Sequence, residues 1–142
     1  MKIHLPMPDL QDYLHEIYPQ TKSRFSISKL TEGELEMTMH ISDQDLRPGN
    51  TISGPSLFTL VDCAFYALTL SLIGKEALAV TTNVNINFVK KTSQQDLLCR
   101  TRMLKFGKQL CVGDALVYSG SILVAQASLT YAIPPKRTKN EK

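Results

Sequence analysis

The sequence predicts an α+β fold in which one long buried helix is embraced by a curved antiparallel sheet. Three observations carry that expectation. The stretch from Leu57 to Ile73 is almost wholly apolar, long alternating strand patterns follow it, and Ser119-Gly120 marks a tight turn between the last two of them. A helix that is apolar on nearly every side must be buried, and a single wrapping sheet is the simplest cover for it.

Taken in order, Asp9 to Tyr18 reads as a short helix with Asp9 as N-cap and Leu10, Leu14 and Ile17 on one face, stopped by Pro19. Arg24 to Leu30 alternates, with Phe25 and Ile27 on one side. After the Thr31-Glu32-Gly33 turn, Leu35, Met37, Met39 and Ile41 alternate with polar residues, which predicts a hairpin with one buried face. Arg47-Pro48-Gly49-Asn50 is a turn-rich loop. Ser53-Gly54-Pro55 then opens the apolar helix, with Pro55 suited to the first helical position and Gly74 ending it.

Val80, Val84, Ile86 and Phe88 alternate with Thr81, Asn83, Asn85 and Asn87, so this strand has one apolar and one polar face. Leu97 to Phe106 is the next strand, and Gln109 to Tyr118 pairs with Ser121 to Ile133. The Asn-rich face either lines an interface or merely faces solvent; the interface is the favoured reading, and it implies a dimer that joins two sheets. No internal repeat or mid-chain linker interrupts residues 1–135, so they form a single domain. The charged tail at 136–142 is expected to be disordered.

Composition narrows the function classes. A chain of 142 residues with 43% hydrophobic and 20% charged residues can bury a sizeable core without disulfides. Cys63, Cys99 and Cys111 lie far apart with no CxxC, and read as small core residues of a reducing, cytoplasmic compartment. The net charge of +3 sits largely in the tail, and no basic stripe interleaves with aromatics, so nucleic acid is not an expected partner. The apolar stretch is slightly short for a bilayer and contains Asp62, which argues against a membrane span.

Asp62 is the most informative residue. It is the only charge between Arg47 and Lys75, on a helix that otherwise buries every face. A carboxylate there is costly unless it is hydrogen-bonded or faces a cleft. It reads either as a structural carboxylate capping a neighbouring loop or as a catalytic group.

Three segments resemble one family. Arg47 through Asp62 looks like a loop and helix start ending in Leu-X-Asp, Val80 through Lys91 like the strand after that helix, and Gly107 onward to Pro134 like the closing hairpin. Together they resemble the PaaI-like acyl-CoA thioesterases of the hotdog fold. The resemblance implies hydrolysis of an acyl-CoA to free acid and CoA by a homodimer, assembled further into a tetramer, with no metal and no cofactor beyond the CoA of the substrate. Asp62 would act as general base or as nucleophile, and the backbone N–H of Gly54 would donate to the oxyanion, facing the acid of the other subunit; a glycine needed only for the turn into the helix is the bland reading of Gly54. Thr81 matches a position where the family often places a hydroxyl near the attacking water; a plain β-branched strand residue is the bland reading.

Substrate contacts are assigned to Ser53, Asn50, Asn83, Lys90 and Lys91. For Ser53 a helix cap is the favoured role. The lysines, with Arg100, Arg102, Lys105 and Lys108 on neighbouring strands, would meet CoA phosphates if they lie at the cleft mouth; a solvated edge is the bland reading. Phe58, Phe65, Tyr66 and Leu70 line either an acyl pocket or the core, and His4, His15 and His40 receive no role.

The chain departs from the family pattern at two places. Ser53-Gly54-Pro55 stands where His-Gly-Gly is usual, and Arg47 stands at the spacing of the usual loop asparagine, with Asn50 displaced by three residues. These departures support an alternative, a non-catalytic acyl-CoA-binding hotdog module. A hydratase or dehydratase would need a histidine near the helix start, where Ser53 stands.

Overall fold

The computed structural model describes residues 1–135, and the tail whose disorder was expected lies outside the described residues. Helix α1 spans Met7–Ile17, beginning two residues before the expected Asp9 cap. Pro6 takes the cap position in an extended conformation, and Pro8 falls in the first turn, where a missing N–H costs nothing. Leu10 and Leu14 are fully buried, and the Ile27 N–H donates to Gln11 Oε1 at 2.7 Å, tying the helix to the neighbouring strand.

Strands β1 (Phe25–Thr31) and β2 (Glu34–Met39) form the expected hairpin, with Gly33 at φ +88 in its turn. A short 3-10 turn at Asp43–Asp45 follows. Then β3 (Leu46–Arg47) and β4 (Thr51–Ile52) pair across the Pro-Gly-Asn loop, where Gly49 and Asn50 both take positive φ. This two-stranded ribbon carries the chain into the long helix.

Helix α2 spans Gly54–Ile73. The Ser53 hydroxyl accepts from the Ser56 N–H at 3.3 Å, so the favoured capping role is the one it plays. Pro55 is the second helical residue, not the first, and Gly74 ends the helix at φ +86. By length and composition α2 could cross a membrane, but 72% of its most apolar window is buried inside the protein.

The wrapping sheet is antiparallel with strand order β1-β2-β6-β7-β8-β5, where β5 is Val80–Phe88, β6 Leu97–Phe106, β7 Leu110–Ser119 and β8 Ile122–Ala132. Alternation sets its faces. Leu97, Cys99, Thr101 and Met103 of β6 point at α2, while Arg100 and Arg102 lie outside, paired with Glu36 and Asp114. The β7–β8 turn is Gly120-Ser121, one residue later than expected, because Gly120 supplies the positive φ that a two-residue hairpin loop demands. The result is the hotdog arrangement, with α2 as its filling and the three cysteines free and buried in the core.

Small residues on β7 and β8 let α2 lie close. At Gly113 an added Cβ would stand 2.1 Å from the Phe65 ring and 2.4 Å from the Arg102 carbonyl oxygen. Neither atom is the free end of a flexible chain, so Gly113→Ala forces the helix and sheet apart. The expected loss is about 3 kcal/mol, at the upper end of ordinary overpacking, and denaturant unfolding of the variant reads it.

One expectation about β5 fails. Thr81 was placed on the same face as Asn83, Asn85 and Asn87, but the register against β8 shifts between Thr81 and Asn83. The bulge at Thr82 inserts one residue and reverses the phase. Thr81 therefore points at α2, as do Val84, Ile86 and Phe88 beyond the bulge, while the asparagines point away.

Candidate active site

Asp62 lies in the third turn of α2, half-buried on the wall of a cavity of about 480 Å³. The cavity is closed on one side by Ile17 and Tyr18 at the end of α1, and on the others by Phe25, Tyr66, Ala79 and Tyr131. The acid is thus set into a recess that is apolar and aromatic around it. Tyr66 donates to the Ala77 carbonyl at 2.7 Å, which fixes the segment between α2 and β5 over the opening.

Both donors to the Asp62 carboxylate converge on one oxygen. The Thr81 hydroxyl donates to Oδ1 at 2.7 Å, and the Tyr131 hydroxyl donates to the same Oδ1 at 2.6 Å. These are lengths expected of O–H donors on a charged acceptor. No hydrogen bond reaches Oδ2 from the described residues. Tyr131 was not singled out from sequence. Its signal was a phenol at an inward position of β8 in line with Ala125, Ala127 and Leu129, where a buried hydroxyl must find a partner.

The neighbouring ionisable groups stay protonated. Burial, then the Asp62 charge and the hydrogen bond to it, push the Tyr131 phenol far above its ordinary range. Burial, reinforced by Asp62, pushes the Cys63 thiol up to about 12, so Cys63 supplies no thiolate beside the acid. Tyr66 is likewise pushed up to about 12, first by burial. Among the described residues, Asp62 is the one carboxylate on this cavity.

Gly54 stands elsewhere in the same chain. It opens α2, where the first N–H groups have no partner within the helix, and the Phe88 ring covers it so closely that an added Cβ would lie 3.2 Å away. The start of α2 is anchored from below. The Ser53 N–H donates to the Asp45 carbonyl, and the Ser56 hydroxyl donates to the Asp45 carboxylate at 2.8 Å. Arg24 pairs with the same carboxylate, which is fully buried. Burial alone would raise the Asp45 carboxyl, but the donors Ser42 N–H, Ser56 and Arg24 outweigh it and hold the group below its ordinary value.

The remaining predicted contacts do not line the Asp62 cavity. Asn50 sits exposed at the tip of the β3–β4 turn, and Asn83 faces away because of the bulge. Lys90 and Lys91 lie past the far end of β5, on a shallow recess shared with Ser119 to Ile122. Of the four aromatic or aliphatic pocket candidates, only Tyr66 faces the cavity; Phe65 and Leu70 are core, and Phe58 is exposed.

The Thioesterase superfamily profile matches residues 49–126. A candidate thioesterase from Silicibacter sp. TM1040 is 44% identical, and its crystal structure superposes with a TM-score of 0.89 over 95% of this chain and 96% of that one. A candidate esterase from Thermoplasma acidophilum is 26% identical over 110 residues, 77% of this chain and 83% of its own. A hypothetical thioesterase of Streptococcus pneumoniae, solved with coenzyme A, shares the fold at a TM-score of 0.73 with 22% identity, over 91% of this chain and 99% of that one. The profile match takes in all of α2 with its acid and the β5 strand that carries Thr81. On that coverage, and on the close fit to the Silicibacter fold, the chain belongs to the Thioesterase superfamily.

Proposed function

We propose that the protein hydrolyses an acyl-CoA thioester, with Asp62 as the reacting acid and a catalytic site completed by a second copy of the chain. The observation that carries this reading is the Asp62 carboxylate itself, set on the cavity wall with Oδ1 held by two hydroxyls and Oδ2 left for chemistry. In the general-base route a water oxygen bonds the thioester carbon while its proton passes to Oδ2. The tetrahedral oxyanion then collapses, the C–S bond breaks, and the CoA thiolate leaves and takes up that proton. In the nucleophilic route Oδ2 itself bonds the carbon, CoA leaves, and water hydrolyses the anhydride. Label found in Asp62 after a single turnover in ¹⁸O-labelled water identifies the second route, since only water attack on the Asp62 side of an anhydride puts it there.

The oxyanion needs a donor, and the Gly54 of the same chain is too far. Gly54 and Asp62 are about 12 Å apart along the axis of one straight helix, whereas donor and base must both lie within ~3 Å of the reacting group. The sheet suggests the solution. β5 is an edge strand with no proline and no charge, and its Val80 and Phe88 are more than half exposed. Natural proteins seldom leave such an edge unpaired. Antiparallel pairing of two β5 strands about a two-fold axis at Asn85, with Thr82 bulged, sets Thr81 of each copy opposite Phe88 of the other. Because Thr81 binds Asp62 and Phe88 covers Gly54, that pairing delivers the glycine of one copy to the acid of the other. It also brings Lys90 and Lys91 to the mouth of the cavity, where cations meet CoA phosphates.

Gly54→Pro tests the donor. Proline is tolerated at the first helical position, Ser53 already has the extended backbone that precedes proline, and the Cβ it brings within 3.2 Å of the Phe88 ring is matched in Gly54→Ala, which controls for that contact. The variant should fold and lose about 10²–10³ in kcat, while Gly54→Ala, which keeps the N–H, loses far less. Mixed dimers of Gly54→Pro and Asp62→Asn chains should regain activity, since one of their two sites is intact. Two inactive parents that stay inactive on mixing would refute the shared site. Light scattering reads whether the homodimer assembles further into a tetramer. We place the enzyme in the cytoplasm, in keeping with its three unpaired buried cysteines.

The non-catalytic acyl-CoA-binding module is favoured by one observation, the Ser53-Gly54-Pro55 start in place of His-Gly-Gly. Measurable CoA binding with no thiol release from any acyl-CoA would establish it.

A further inference from the structure

We infer that Tyr131 is a positioning residue for the reacting acid, its hydroxyl clamping Asp62 Oδ1 so that Oδ2 is the oxygen presented to substrate. This rests on the assignment of Asp62 as the reacting group, and it adds a residue that lies beyond the 49–126 profile match.

The geometry shows a rigid donor. Tyr131 sits on β8, an inner strand flanked by β7 and β5, and is 2% exposed. Its ring packs edge-on against Phe65 at 5.4 Å between centroids and tilts against Tyr66 at 6.1 Å. A ring held from two sides on an inner strand cannot swing, so the hydroxyl is fixed in space. It stands 2.6 Å from Asp62 Oδ1 and 3.1 Å from the Asp62 backbone carbonyl, with the Thr81 hydroxyl beside it on the same oxygen. The phenol keeps its proton, so it acts as a donor at every working pH.

Thr81 reaches the same oxygen, but from an exposed edge strand next to a bulge. A lone donor lets a carboxylate turn about its Cβ–Cγ bond and exchange its two oxygens. Two donors from different strands, converging on Oδ1, oppose that rotation. The acid then spends its time with Oδ2 aimed at the carbonyl or the water, which is the preorganisation a base or nucleophile needs.

The test is Tyr131→Phe, which removes the hydroxyl and keeps the ring. We expect kcat on a hydrolysable acyl-CoA to fall about 10–100-fold, the range for losing a hydrogen bond to a charged group, with KM unchanged and the melting temperature held. In an Asp62→Asn background the same substitution should change the residual rate no further, because the acid it serves is gone. A kcat near the wild-type value, or a loss carried wholly by KM, overturns the clamp even where Asp62→Asn is dead. Wild-type rates in Asp62→Asn overturn the Asp62 assignment and the clamp together, as does a wild type inert to every thioester. Should the phenylalanine variant fail to fold, Thr81→Val strips the other donor from a site that tolerates change. It must lower kcat with KM held, and an unaltered kcat there overturns the two-donor arrangement.

Discussion

Asp62→Asn should abolish thioester hydrolysis, with kcat falling by at least about 10²-fold and as much as 10⁴-fold. Asparagine matches the carboxylate in size and still accepts from Thr81 and Tyr131, so the fold and the walls of the cavity stay as they are. It can neither take a proton from water nor form an anhydride, so both routes stop at their first step. Thiol release from a panel of acyl-CoAs, with melting temperature as the control for folding, measures the effect. The panel should begin with medium-length and aryl acyl groups, since Tyr18, Phe25 and Tyr66 give the recess aromatic walls. A variant that folds and turns over at the parental rate would remove Asp62 from the chemistry.

What could be read from sequence divides along a physical line. The long helix was legible because its signals are local: an apolar run, a serine cap, a proline in the first turn and a glycine stop. Asp62 was legible for the same reason, as a lone charge in a setting that penalises charge. The strands were found nearly to the residue, since alternation repeats over nine to eleven positions. What escaped depends on breaks in period or on distant partners. The bulge at Thr82 adds one residue to a repeat of two, so simple alternation put Thr81 on the wrong face. Strands β3 and β4 are two residues each and have no period to detect. Tyr131 meets Asp62 across 69 positions of chain, and only folding brings them together.

Asp45 escaped similarly, although Ser42-X-X-Asp45 is the sequence signature of a helical start. Its partners Arg24 and Ser56 lie on either side of it in the chain, and the carboxylate joins β1's approach, the β3–β4 ribbon and the first turn of α2 into one network. That network, rather than the helix alone, decides where Gly54 is held. Asp45→Ala leaves the Arg24 guanidinium, 25% exposed, without its charge partner and the Ser42 N–H and Ser56 hydroxyl without their acceptor, and should cost about 1–3 kcal/mol, the expected effect of stranding buried hydrogen-bonding groups.

The same residue should shape the acid limb of stability. The Asp45 carboxyl is held below its unfolded value, so the unfolded chain binds a proton before the folded one does. Its contribution is therefore complete above the ordinary aspartate range near pH 4 and is lost as the pH falls through the depressed folded value. Unfolding free energies measured from neutral pH downward should fall less steeply in Asp45→Asn than in the parent across that window. Activity supplies the second readout: in Asp45→Asn that is still folded at neutral pH, a loosened α2 start should lower kcat through the Gly54 donor while leaving Asp62, two turns away, in its own hydrogen bonds. Equal acid slopes in variant and parent, with kcat unchanged, would show that the ribbon and helix hold the glycine without this carboxylate.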